Sequence, residues 1–169
     1  SDLGKIPVAQ AADPGQVLVH TDAPEWADSL AGCLQTGAAA DPELLEHAVH
    51  TLADWSKQWV DRPTCMIAVA PGGMPDLAGS VAEHLANAGR LPHAVWATDR
   101  IPTDLPSADE AAVLRDRLGA GPDANVDGHT VLLVIDRTSS GWAATVAAAA
   151  LRERGAARVL PLVIHRSVG

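Results

Sequence analysis

Apolar residues run without a break from Val131 through Leu132, Leu133 and Val134 to Ile135. A strand with no polar alternation is covered on both faces, which predicts a parallel sheet between helices. Asp136 closes the run. Arg137, Thr138, Ser139, Ser140 and Gly141 then form a short polar loop. Trp142-Ala143-Ala144-Thr145-Val146-Ala147-Ala148-Ala149-Ala150-Leu151 follows as a strong helix former. A second unit repeats the pattern upstream. Cys65-Met66-Ile67-Ala68-Val69-Ala70 reads as a buried strand, and Pro71-Gly72-Gly73-Met74-Pro75 as a tight loop. Leu77, Val81 and Leu85 then mark the buried stripe of a helix over 76–87 that Gly89 ends.

The remaining pattern fits between and around these units. Residues 1–15 read as an entry arm, 16–20 as a short edge strand, and 23–35 as a short helix. Asp41-Pro42-Glu43 opens a helix with an acidic N-cap and proline at its first position. Leu45, Val49, Leu52, Trp55 and Trp59 give it an apolar stripe, with His47, His50, Asp54 and Gln58 opposite, until Arg62-Pro63 stops it. A strand is expected over 94–97. Ser107-Ala108-Asp109-Glu110 has the form of a capping box for a helix running to Gly119. Gly155 ends the helix after Trp142, and 158–164 is the last strand, with Pro161 pointing to an edge or a bulge. Strand and helix alternate throughout. The fold class is α/β: a doubly wound, largely parallel sheet of about five strands flanked by helices, with a short N-terminal extension. Residues 1–40 read as an arm and cap, and 41–169 as the α/β domain.

With 169 residues the chain is long enough for one domain with a real core. It has five Trp and neither Tyr nor Phe, so Ala, Val and Leu fill that core. Cys33 and Cys65 form no metal spacing, which fits a cytoplasmic protein without a disulfide scaffold. No apolar run reaches transmembrane length, so no membrane partner is expected. The net charge of -9 argues against a general grip on nucleic acid. Charge is unevenly placed. Residues 1–60 carry Lys5 and Lys57 against nine acids, whereas 137–169 carry Arg137, Arg152, Arg154, Arg158 and Arg166 against Glu153 alone.

The basic end begins at a loop with candidate chemistry. A strand, a hydroxyl-rich loop with glycine, and a helix start together aim free N–H groups and the positive end of a helix dipole at one spot, which suits a phosphate. Asp136, Arg137, Thr138, Ser139, Ser140 and Gly141 are the candidate residues, and a serine cap on the helix is the plainer alternative. Pro71, Gly72, Gly73 and Met74 form a second candidate loop, with a simple connector as its alternative. His47 and His50 lie three apart without a third ligand, so no metal site is assigned. No residue is assigned a catalytic role.

The stretch 131–141 resembles the phosphoribosyltransferase signature: an apolar strand, two acids, a short linker, two Thr or Ser, then Gly at a helix start. Asp136 matches the second acid and Ser139-Ser140-Gly141 the phosphate loop, while Ile135 stands where the first acid belongs. In that family the acidic pair holds the ribose hydroxyls of phosphoribosyl pyrophosphate, and isoleucine has no acceptor with which to do so. The family's pyrophosphate-touching loop corresponds to Ala70-Pro71-Gly72-Gly73-Met74, which here holds no charged side chain. Residues 121–128 fall where the family often carries a flexible active-site hood.

Nearly the whole chain also resembles the C-terminal region of RecQ-family ATP-dependent DNA helicases of the actinobacterial type. There, a phosphoribosyltransferase-like domain follows the helicase core and zinc region. The resemblance is carried by Gly141-Trp142-Ala143-Ala144-Thr145-Val146-Ala147-Ala148, by Leu151-Arg152-Glu153-Arg154-Gly155 and by Gly89-Arg90-Leu91-Pro92. Val159-Leu160-Pro161-Leu162-Val163, Asp41-Pro42-Glu43-Leu44-Leu45 and Thr21-Asp22 add to it. It implies a non-catalytic accessory domain with a degenerate phosphoribosyl pyrophosphate loop. Such a domain would dock on the helicase core of the same polypeptide, tether a protein partner or sense a nucleotide. ATP would bind in the core, DNA would be met through the parent chain, and the location would be cytoplasmic and nucleoid-associated. This chain has no GxxxxGK[ST] loop of its own. Its start at Ser1 rather than Met reads as a piece of a longer protein. Two alternatives stay open: a sensor that binds phosphoribosyl pyrophosphate, phosphate or magnesium without turnover, and an active phosphoribosyltransferase. Ile135, and the lack of an acid–base residue near either loop, speak against the last.

Overall fold

The computed structural model describes residues 15–20, 38–102 and 105–166. The expected arm lies outside them except for Gly15, as do the expected helix over 23–35 and Cys33. Among the described residues five strands and four helices alternate: β1 (Gln16–His20), α1 (Pro42–Ser56), β2 (Cys65–Val69), α2 (Pro75–Gly89), β3 (His93–Trp96), α3 (Ser107–Leu118), β4 (Thr130–Thr138), α4 (Trp142–Glu153) and β5 (Arg158–Arg166). The strands form one sheet in the order β1-β5-β4-β2-β3. Every pairing is parallel, as in Val69 beside Ile135 and Thr138 beside Arg166. The doubly wound α/β architecture expected from the pattern is what forms, with 16–20 as an outer strand.

Period-two geometry explains the unbroken apolar run of β4. Leu132 and Val134 pack on one face under α1 and α2. Val131, Leu133 and Ile135 pack on the other under α3 and α4. Small residues on the helices, such as Ala78, Ala82, Ala147 and Ala148, let them lie close to the sheet. Cys65 is a buried free thiol in β2, and burial pushes its pKa up, away from thiolate chemistry. Among the described residues no helix is long and apolar enough to cross a membrane.

Several local expectations are corrected. The expected stripe of α1 packs on the core, with Trp55 buried and Leu45, Val49, Leu52 and Trp59 half-buried against it, while Leu44 and Ala48, which the pattern did not pick out, lie deeper. His47 is not a solvated histidine, and its Nε2 meets the Leu18 carbonyl of β1 at 2.9 Å. The helix stops at Ser56, so Trp59 stands in the turn beyond it. The cap itself is as expected, with Asp41 Oδ1 accepting the Leu44 N–H at 2.8 Å.

Pro161 sits in an interior strand, not an edge. Its partner position on the β1 side is Gly15, one step before the pairing that starts at Gln16 and Leu162. The missing N–H thus falls where no ladder bond begins. Gly89 is the last residue of α2 rather than its left-handed cap. That conformation is taken by Arg90, at φ 56°. Residues 121–128 precede β4 and so lie at the amino end of the sheet, where Gly128 N–H donates to the Gly155 carbonyl at 2.9 Å. No hood over the carboxyl ends is built from them.

Candidate functional site at the sheet switch point

From β2 the chain winds through α2 outward to β3, and from β4 it winds through α4 the opposite way to β5. The connections part between β2 and β4, and open α/β sheets take ligands outside the carboxyl ends of their strands at such a point. The two loops at this point are 70–74 and 138–141, the two that sequence singled out.

β4 does not end at Asp136 but continues through it to Thr138. Counting by twos from Leu132 and Val134 carries the Asp136 side chain to the α2 face, where it is 0% exposed. Its Oδ1 accepts the Gly72 N–H at 3.0 Å and its Oδ2 the Met74 N–H at 2.9 Å. Gly73 N–H donates to the Ala70 carbonyl at 3.0 Å. Proline has no N–H, so the backbone donors of 71–74 are all engaged within the protein.

Glycine is required at both central positions of that loop. A Cβ on Gly72 would stand 2.8 Å from Asp136 Oδ2 and 2.9 Å from Arg137 Cβ. Gly73 has φ +83°, a left-handed conformation that side chains disfavour. Burial pushes the Asp136 carboxyl above its usual range, and backbone N–H bonds, Gly72 first among them, pull it part of the way back. Ile135, one residue earlier, points to the opposite face and is 0% exposed among apolar side chains.

The 138–141 loop is also knit internally. Thr138 Oγ1 donates to the Ser140 carbonyl at 2.5 Å and accepts the Ser140 N–H at 3.2 Å. Ser140 Oγ donates to Glu110 Oε1 at 2.7 Å and accepts the Trp142 N–H at 3.3 Å. The plain cap by Ser140 thus exists, although Gly141 holds the N-cap position. The Ser107–Glu110 capping box does not form. Pro106 is the N-cap of α3, without a side-chain bond, and Glu110 reaches across to α4 instead.

A third strand-end loop, missed in the sequence, closes the group. Ile101 N–H donates to the Pro71 carbonyl at 2.8 Å. The exposed Arg100 lies over Gly73, its Cδ 2.9 Å from where a Cβ would stand. No sequence signal marks Arg100, and Glu110 was marked only as the acid of the expected capping box, because both act through loops distant in the chain.

No family model matches the chain, and no curated protein matches it. Solved structures do. A purine phosphoribosyltransferase from Pyrococcus horikoshii Ot3 is 14% identical, with a TM-score of 0.49, over 78% of this chain and 88% of that one. A Trypanosoma cruzi hypoxanthine phosphoribosyl transferase is 16% identical, with a TM-score of 0.48, over 77% of this chain and 63% of that one. An HGPRT-ase from Leishmania tarentolae, in complex with GMP, is 16% identical, with a TM-score of 0.41, over 71% of this chain and 62% of that one. The chain thus spans less than two thirds of the last two. These likenesses are distant, and nothing about the site follows from them.

What the crevice offers a ligand is limited. A helix start leaves its first N–H groups without intrahelical acceptors. Here Ser140 takes that of Trp142, and those of Gly141, Ala143 and Ala144 remain without an acceptor among the described residues. Arg137 follows Asp136 in β4 and Arg100 lies over Gly73, while Glu110 sets a negative charge against any anion at Ser140. Among the described residues no group of three or more His, Cys, Asp or Glu can hold a metal ion.

Proposed function

We propose that this chain is a phosphoribosyltransferase-like domain that carries out no transfer and serves as the accessory C-terminal domain of a RecQ-like ATP-dependent DNA helicase. One observation carries the non-catalytic part. The only acid matching the signature, Asp136, faces inward with both oxygens on the Gly72 and Met74 N–H groups. That one contact withdraws a ribose-binding carboxylate and two pyrophosphate-facing donors together. Ile135 supplies no second acid and is packed in the core. The residues present therefore do not fit a magnesium–phosphoribosyl pyrophosphate complex, whose hydroxyls need paired carboxylates and whose charge Glu110 would oppose.

The helicase part rests on the sequence resemblance running through Gly141-Trp142 and Gly89-Arg90-Leu91-Pro92. Docking on the helicase core of the same polypeptide, or tethering a protein partner, suits a domain with no chemistry of its own. A transferase assay with phosphoribosyl pyrophosphate, magnesium and a panel of purine and pyrimidine bases tests the first part. No product is expected, and product above the uncatalysed rate overturns it. Helicase and zinc motifs encoded directly upstream of Ser1 support the second part, and a start codon there sinks it.

A second reading has its own observation: the free N–H groups at the start of α4 beside Thr138, Ser139 and Ser140. They suit a phosphate sensor that binds with a dissociation constant near millimolar, about -4 kcal/mol. A sulfate or ribose 5-phosphate soak that orders an anion over 138–141 supports it, and an anion ordered only elsewhere rejects it.

A further inference from the structure

Asp136 is the one buried acidic residue among the described residues, and each of its oxygens holds a different backbone donor of the 70–74 loop. Only the ionised form can do this. A carboxylate accepts at both oxygens, whereas the neutral acid carries an O–H on one of them. An O–H aimed at an N–H sets donor against donor. In this geometry the neutral acid therefore keeps one loop contact and loses the other. The charge has no cation to hold it in place. Burial pushes the carboxyl up, and only backbone N–H bonds oppose that rise.

The groups around Asp136 agree with this. The 70–74 loop has no titratable side chain. Arg100, from the loop after β3, lays its stem over Gly73. Arg137 falls by alternation on the opposite face, beside His165 of β5, and Arg166 stands beside Thr138. Asp76 lies exposed in the first turn of α2. On α1, which shares the Asp136 face, Asp41 caps its own helix and His47 meets the Leu18 carbonyl.

We propose that Asp136 is a proton-operated latch on the 70–74 loop: ionised, it ties the loop to β4 at two points, and neutral, it releases one of them. The latch regulates the crevice described above and rests on the reading that this crevice is closed. Release is local, at Gly72 or Met74, because the Gly73 N–H stays on the Ala70 carbonyl and the Ile101 N–H on the Pro71 carbonyl. The fold survives it, since the same proton removes a buried charge.

Asparagine has the shape of the neutral acid, with one acceptor and one donor end at every pH. The test follows the amide shifts and hydrogen-exchange protection of Gly72 and Met74 from about pH 8 to pH 4 in wild type and Asp136→Asn, while the Asp136 carboxyl ¹³C shift records its own titration. Near neutral pH at least one of the two amides should be about tenfold less protected in Asp136→Asn than in wild type. As the wild-type carboxyl takes up its proton, that amide should move upfield along the same curve, and its protection should fall to the variant's. A carboxyl that titrates while both amides keep their shift and protection overturns the latch. So does a carboxyl still ionised at about pH 3. Amides unprotected in wild type even at neutral pH would instead show that the closed crevice is wrong, and the latch would fall with it. If Asp136→Asn does not fold, the wild-type titration decides alone, by whether the amide and carboxyl curves coincide.

Discussion

A carboxylate at 0% exposure is costly unless its lone pairs are met, and Asp136 meets them with two N–H groups from a loop more than sixty positions away in the chain. Asp136→Ala strands both donors. At about 1–3 kcal/mol for each buried unmet group, the variant should lose roughly 2–6 kcal/mol of stability in urea unfolding. The same residue sets a pH dependence. Burial raises its folded pKa above the ordinary carboxylate value, so between the two values the folded chain binds the proton more tightly than the unfolded one. The stabilisation from that proton is complete below about pH 4 and is lost as pH rises through the folded pKa. Wild type measured against Asp136→Asn, which does not titrate, should therefore lose relative stability over that rise and then level off. Ile135→Asp, which would write the missing acid back, places a carboxylate in the apolar cluster under α4. It should cost about 4 kcal/mol or more and restore no transferase turnover, as a melt and an activity assay together would reveal. The inward direction of Asp136 follows from counting in twos from Leu132 and Val134 only once β4 is known to run on to Thr138, whereas the sequence pattern ended the strand at Asp136. The loop it meets was not legible either, because no local rule joins Gly72 to a position so far along the chain.

Elements were legible where a local signal faced no distant competitor. The run over 131–135 and the Asp41-Pro42 start are such cases, and β4 and α1 form from them. The capping box at Ser107 failed because Glu110 found Ser140, thirty residues on, as a stronger partner. The stripe of α1 was legible as core-facing, whereas Leu44 and Ala48 were not, because a small alanine carries little apolar signal of its own. At the end of α2, glycine and the left-handed turn are out of step by one, with Arg90 at φ 56°. Left-handed backbone costs a residue with a Cβ about 1–2 kcal/mol, and glycine is free of that cost but loses more entropy on folding. Arg90→Gly should accordingly raise stability by about 0.5–1 kcal/mol, read as a shift of the urea midpoint at unchanged slope. A midpoint that stays put or falls would show that the Arg90 side chain contributes more than its backbone costs.

The whole molecule carries a net charge of -9, with its cations gathered late in the chain rather than along one helix. Non-specific binding to duplex DNA draws on released counterions, so this domain should bind no tighter than about 10⁻⁶ M at physiological salt and without sequence preference. Fluorescence anisotropy with two unrelated duplexes checks this, and a sub-micromolar constant counts against it. At the same scale, three strand-end loops lean on one another at the switch point, through Asp136 to Gly72 and Met74 and through Ile101 to Pro71. That closure is the central claim, and it predicts which backbone groups a phosphoribosyl ligand can reach. The direct measurement is a ¹⁵N–¹H amide spectrum of the domain titrated with phosphoribosyl pyrophosphate and magnesium to millimolar concentration. The Gly72 and Met74 amides should stay where they are, with any shifts confined to 138–144 at the start of α4. Saturable movement of the Gly72 and Met74 amides would show that the ligand displaces Asp136, and the account of a closed, non-catalytic crevice would be wrong.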